Sequence, residues 1–138
     1  MLSSSVLQAI SVMADEKLLL SMIHGMWQSA CISVLLHLGV PEILCSCGKE
    51  SLSVDEIATI AGCSSSEQLY QVMRVMSQWG VGRELDNKMF AANRAMELLR
   101  RDKGTSVGHM AEFRLADEKW LSCTMLPSAV KTGEAAFR

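Results

Sequence analysis

A chain of 138 residues has room for one domain with a real core and is too short for two, since a domain of this size buries roughly two-thirds of the surface its unfolded form exposes. With 49% hydrophobic and only 20% charged residues and a net charge of −2, a disordered chain is excluded and a nucleic-acid reading is weakened. So apolar a composition is more than one small monomer hides, and it predicts an obligate partner. The five cysteines, Cys31, Cys45, Cys47, Cys63 and Cys123, are odd in number and irregularly spaced. No cleavable secretory signal opens the chain, so free thiols in a reducing, cytoplasmic setting are expected.

In chain order, Ser3, Ser4 and Ser5 offer caps for a short helix through about Met13, and Asp15 and Glu16 place acid in the first turn of a second. From Leu18 to Val40 there is no Asp, Glu, Lys or Arg. That stretch has the length of a membrane span, but Ser21, His24, Gln28, Ser29, Ser33 and His37 argue against one. Leu19, Ile23, Met26, Trp27, Ala30, Val34 and Leu38 recur at helical spacing and define the apolar face, with Ser21, Gly25, Gln28 and Ser29 nearer the other side. A second subunit is the expected cover for that face.

Pro41 after Gly39 and Val40 ends the long helix and starts one further turn to Cys45. Leu52-Ser53 reads as strand, Ser53 and Glu56 have capping-box spacing, and Gly62 closes a helix carrying Ile57 and Ile60. Ser64, Ser65 and Ser66 then cap a helix whose buried face is Leu69, Val72, Met73 and Met76, which completes a helix-turn-helix. Val81, Arg83 and Leu85, a turn at Asp86-Asn87, and Met89, Phe90 and Ala91 form a β-hairpin wing. Asn93 starts a helix ending near Leu99, Arg100 to Gly104 is a polar loop, and Thr105 to about Thr132 reads as helices kinked at Pro127. The expected architecture is mainly α: a single domain over 1–138, with long interface helices at about 5–46, a winged helix-turn-helix at about 51–99 and C-terminal helices at about 105–132.

The order of these pieces resembles the N-terminal dimerisation domain of S-adenosylmethionine-dependent O-methyltransferases of the caffeic-acid and acetylserotonin (hydroxyindole) type. The segments that carry the resemblance are MIHGMWQSACISVLLHLGVPEIL, SVDEIATIAGCSSSEQLYQVMRVMSQWGV, GRELDNKMFAAN, RAMELLR and KTGEAAF. It implies an intertwined homodimer in which Leu19, Ile23, Met26, Trp27, Ala30 and Val34 meet the partner subunit. It also implies that His24, Phe113, Arg114 and Trp120 face the pocket of a small hydroxylated aromatic acceptor. In the family a following domain, in cis or supplied in trans, carries S-adenosylmethionine and the catalytic base.

Residue by residue, no complete catalytic set is legible. Methyl transfer to a hydroxyl needs a base and a site that holds the donor beside the acceptor oxygen. The single GxG, Gly80-Val81-Gly82, follows a helix and enters the wing, whereas a donor-binding glycine turn follows a strand and opens a helix. His24, His37 and His109 lie on separate segments, and Cys45, Cys47 and Cys63 lack the paired spacing of a zinc site, so no catalytic, cofactor or metal residue is assigned. The chain alone is expected to be inactive, to bind no cofactor, and to take neither nucleic acid nor membrane as partner. The alternative is a winged-helix DNA-binding regulator, weakened because Ser65 to Trp79 offers a single basic group, Arg74.

Overall fold

A computed structural model describes residues 1–104 and 106–136. The long apolar segment is one continuous helix, α1 (Ser4–His37), capped by the Ser3 hydroxyl, which accepts from the Val6 N–H. The two helices anticipated on either side of Met13 are therefore one. Between Met13 and Leu18 stand Ala14, Asp15, Glu16 and Lys17, none of which breaks a helix, and acid in a potential first turn does not by itself start a new one.

The break comes at Gly39, whose left-handed backbone (φ 67°) turns the chain into α2 (Val40–Ser46), with Pro41 in its first turn. After β1 (Leu52–Ser53), helix α3 (Val54–Ala61) opens with the full capping box. The Glu56 N–H donates to Ser53 Oγ at 3.1 Å and the Ser53 N–H donates to Glu56 Oε2 at 2.9 Å. Gly62 (φ 78°) closes α3, and α4 (Glu67–Gln78) follows.

The wing is β2 (Arg83–Leu85) and β3 (Met89–Ala91), and β1 joins it, giving an antiparallel sheet of order β1-β3-β2. Its hairpin turn falls one residue later than the sequence indicates. Asn87 (φ 58°) and Lys88 (φ 57°) take the two left-handed positions, and the Met89 N–H donates to the Asp86 carbonyl. Two successive positive φ values match the right-handed twist of the flanking strands. Val81 stands before β2 and not in it. Helix α5 (Arg94–Leu98) starts at Asn93, and α6 (Ser106–Arg114) and α7 (Asp117–Thr132) complete the described chain. Pro127 lies inside α7, which continues on both sides of it. Of the expected C-terminal segment, Thr105 and Phe137 lie outside the described residues.

The core is confined to the middle of the chain. Leu35 of α1, Val40 and Leu44 of α2, Leu52, Ile57, Met73, Met76, Phe90 and Met96 pack together and are nearly inaccessible to water. Residues 1–34 contribute no buried side chain, and neither does α7. The winged helix thus has its own core, while most of α1 and all of α7 project from it.

Candidate functional site

From Leu19 to Val34 the side of α1 that the sequence marks as apolar is turned away from the body of the protomer, whereas Leu38, at the end of the helix, packs half-buried against the core. Over its C-terminal half the inner side carries Gly25, Gln28, Ser29, Cys31 and Ile32, half-buried, and then Leu35 and Leu36, buried. Leu19, Ile23 (62% exposed), Met26, Trp27 (60% exposed), Ala30 and Val34 all face water. Leaving such side chains in water forgoes about 1.5–3 kcal/mol for each large one. The total agrees: the protomer exposes 9644 Å², whereas a compact monomer of this mass exposes about 7,100 Å². The surplus of about 2,500 Å² is roughly three times what one partner buries in a standard stable interface.

α1 is long and apolar enough to cross a membrane by length and composition. One such helix is weak support for a span, because buried helices of other assemblies pass the same test.

The four residues expected to face an acceptor occupy different places. His24 lies in a shallow groove along α1 beside Lys17, Leu20, Ser21 and Gln28, and neither Phe113, Arg114 nor Trp120 lines it. Phe113 and Arg114 end α6, exposed, with Lys119 Nζ 5.0 Å from the Phe113 ring centre; Trp120 in the first turns of α7 is half-buried. Within one protomer, then, His24 is not in that groove's company with the other three.

The remaining histidines have local work. His37 Nδ1 lies 2.8 Å from the Ser33 carbonyl one turn back, and His109 Nε2 lies 3.1 Å from the Arg101 carbonyl. Cys47 donates its S–H to the Leu44 and Lys49 carbonyls. Among the described residues no group of three His, Cys, Asp or Glu side chains could hold a metal ion.

Gly80-Val81-Gly82 leads from α4 into β2, and its backbone is already engaged: the Gly82 N–H donates to Asn93 Oδ1 at 2.9 Å. A glycine turn whose N–H is taken from within cannot cradle a methyl donor, so this turn does not fit one.

Helix α4, in the position of a DNA-reading helix, carries Arg74, and Arg74 Nε is 3.7 Å from Glu84 of the wing. Tyr70 of the same helix donates its hydroxyl to Glu84 at 2.8 Å and meets Phe90 edge-on at 6.1 Å. These groups tie α4 to the wing, and the one basic group of α4 is paired at the surface with a wing carboxylate.

One polar centre was not legible beforehand. The stretch Arg100 to Gly104, which reads as a plain loop, places Arg101 where four segments meet. Its guanidinium donates to Glu112 of α6 at 2.7 Å, to the Leu36 carbonyl of α1 at 2.6 Å and to Glu42 of α2 at 3.4 Å, and its backbone N–H donates to the same Glu42 oxygen at 2.9 Å. Its neighbour Arg100 is covered as well and donates to Asp102 and to Ser46 of α2, so two adjacent arginines inside a charged run give no sign of which one reaches α6.

This architecture, a long projecting helix followed by a winged helix and two trailing helices, is the fold of the dimerisation domain of O-methyltransferases. Mitomycin biosynthesis 6-O-methyltransferase of Streptomyces lavendulae is 29% identical over 125 residues, which is 90% of this chain and 35% of that protein. Mitomycin 7-O-methyltransferase MmcR superposes with a TM-score of 0.81 at 28% identity over 94% of this chain and 37% of its own. LaPhzM gives 0.78 at 27% identity, over 88% of this chain and 35% of its own. No protein-family profile matches the sequence. The chain spans about a third of the length of these relatives, the N-terminal third.

Proposed function

We propose that this chain is the dimerisation and substrate-pocket-covering module of a small-molecule O-methyltransferase, and that two copies join through the outer face of α1. The observation that carries the reading is the exposed, uncharged face of Leu19, Ile23, Met26, Trp27, Ala30 and Val34 on a protomer with far more surface than its mass requires. A two-fold partner laid along that face removes the apolar surface from water on both copies at once.

In this reading the methyl donor, S-adenosylmethionine, and the catalytic base belong to a catalytic domain in cis or in trans, and the chain alone is inactive. The donor supplies the methyl group; the residues here shape and dry the acceptor site. His24, Phe113, Arg114 and Trp120 are the side chains we assign to that task, for a small aromatic acceptor bearing a hydroxyl. Because His24 stands on α1 and the others on α6 and α7, a complete lining draws His24 from the partner copy. The setting is cytoplasmic, with no nucleic-acid or membrane partner. A DNA-binding role is disfavoured by the engagement of Arg74 with Glu84.

The test is the solution mass by light scattering over a hundredfold range of concentration, with calorimetric titration of S-adenosylmethionine on the same samples. A dimer at every concentration, with no heat of donor binding, is the expected result. A monomer overturns the interface, and donor binding overturns the assignment of that site to another domain.

A further inference from the structure

We propose that α6 and α7 form an arm latched to the winged-helix core through Arg101, and that this arm opens and recloses while the core stays folded. The case begins with where apolar burial is absent. Among the described residues all buried hydrophobic side chains lie between Leu35 and Leu99; in the arm Met110, Phe113, Leu121, Met125, Leu126 and Val130 are exposed. Among the described side chains of α6 Gly108 is buried, Val107 and Ala111 are half-buried, as is Leu115 just after it, and the helix lies against α1. A segment with so little core of its own sits at the low-stability end of a protein and opens separately from the rest.

Among the described residues the polar ties of the arm to the core gather at one residue. Arg101 ties Glu112 of the arm to the Leu36 carbonyl at the end of α1 and to Glu42 of α2, while its own carbonyl meets His109 of the arm. The planar guanidinium, with donors in a fixed fork, suits such a junction in a way a lysine does not.

Gly108 supplies the seat. A Cβ at that position would drive into the Leu99 carbonyl oxygen and lie 2.9 Å from the Arg100 carbonyl oxygen, so the arm rests directly on the backbone that leads into the latch. Gly104, with its left-handed backbone (φ 68°), stands between latch and arm.

Charged hydrogen bonds weaken with salt, and apolar cores do not, so the latch is more salt-sensitive than the core. Beside it lies an open cleft of about 300 Å³ bordered by Ser33, His37, Arg101, Glu112 and Asp117, whose far wall is the arm. Opening the arm therefore takes that wall away and widens the cleft. Under the proposed function, on which this one consequence rests, it also moves Phe113, Arg114 and Trp120 and so admits or releases an acceptor.

Hydrogen exchange by mass spectrometry on the full chain decides the matter, with light-scattering mass measured on the same samples. In the wild type, peptides within 107–132 are expected to exchange at least tenfold faster than peptides within 54–78. Arg101→Ala is expected to accelerate 107–132 a further tenfold and leave 54–78 unchanged, and Gly108→Ala to do the same. Glu112→Gln, a mild change at an exposed carboxylate, should give a smaller acceleration confined to the same peptides. Equal rates in the two regions, or acceleration of both together in every variant, overturns the arm. A dimer whose arm and core exchange together overturns the latch and leaves the dimer standing, whereas a monomer with an independently exchanging arm does the reverse.

Discussion

The Asn93 side chain grips the backbone of Gly82 from both ends of its amide: Oδ1 accepts the Gly82 N–H at 2.9 Å, and Nδ2 donates to the Gly82 carbonyl at 3.4 Å. The same Oδ1 accepts the Met96 N–H, and Nδ2 also donates to the Gly80 carbonyl at 2.9 Å. One amide thus starts α5 and fixes the entry of the wing. Gly82 has to be glycine here, with φ at 79° and the Met96 methyl 3.1 Å from where a Cβ would stand.

Asn93→Ala is accordingly expected to cost more than a helix cap alone. A lost cap is about 1 kcal/mol, and the orphaned Gly82 N–H and Gly80 carbonyl bring the total to about 3 kcal/mol. Asn93→Asp keeps the acceptor and loses the donor, so it should fall about midway. Urea denaturation followed by circular dichroism measures both, and a loss below about 1 kcal/mol for the alanine variant would show that the grip on the wing adds nothing.

Much of the winged helix is legible in the sequence because its signals are local. Ser53 and Glu56, Gly62 and Asn93 each announce a helix end by the chemistry of one or two side chains, and each stands where that chemistry predicts. Two readings fail for want of a local signal. Asp15 and Glu16 look like a helix start, yet the helix runs through them, since acid is tolerated inside a helix as well as at its end. The turn at Asn87-Lys88 is displaced because lysine carries no left-handed preference to mark it. As for the site, the apolar face of α1 follows from periodicity, but whether it looks inward or outward depends on what the rest of the chain leaves uncovered. The Arg101 centre joins residues 36, 42, 101 and 112, and no spacing rule reaches across such separations.

The capping box of α3 has a charge, and its contribution depends on pH. The Ser53 N–H, and after it the Lys49 ammonium at 3.1 Å, hold the Glu56 carboxyl below the usual carboxylate range. A depressed carboxyl stabilises the fold fully above its unfolded pKa and loses that contribution as pH falls through the lower, folded value. Glu56→Gln retains an acceptor for Ser53 and discards the charge. Its deficit against the wild type is therefore expected to be largest near neutral pH and to vanish in acid. Denaturation midpoints of both proteins between pH 7 and 3 test this, and a deficit that stays constant with pH would sink the electrostatic account.

The thiols should react in an order set by exposure and desolvation. Burial pushes the Cys31 thiol up, and burial likewise raises Cys45 despite the nearby Arg100 guanidinium. Both therefore present less of the nucleophilic thiolate at neutral pH. Cys123, exposed on α7, has no such cover. With a disulfide reagent at pH 7.5 the first equivalent is expected at Cys123, identified by peptide mapping, and Cys31 and Cys45 should be modified last. Early modification of Cys45 would mean that α2 opens readily from the core.

Trp27 offers the sharpest test of what α1 is for. In the protomer it is 60% exposed and contributes nothing to the core, so replacing it should leave the fold of a single copy unharmed. At the centre of an interface the same side chain is of the kind that dominates binding, where truncation costs about 2–4 kcal/mol, and a carboxylate in its place adds the cost of burying a charge. Trp27→Glu is therefore expected to weaken dimerisation at least a hundredfold while the helical circular dichroism persists. Asp15→Ala, a change at an exposed charged position of the same helix, is the control and should leave the mass unchanged. Sedimentation across a range of concentration reads the affinity, and flotation with neutral phospholipid vesicles reads membrane affinity on the same proteins. If Trp27→Glu remains dimeric, the outer face of α1 is not the interface. If the wild type is monomeric and floats with vesicles while Trp27→Glu does not, the uncovered face is made for lipid, and the apolar run from Leu18 to Val40 has to be understood in those terms.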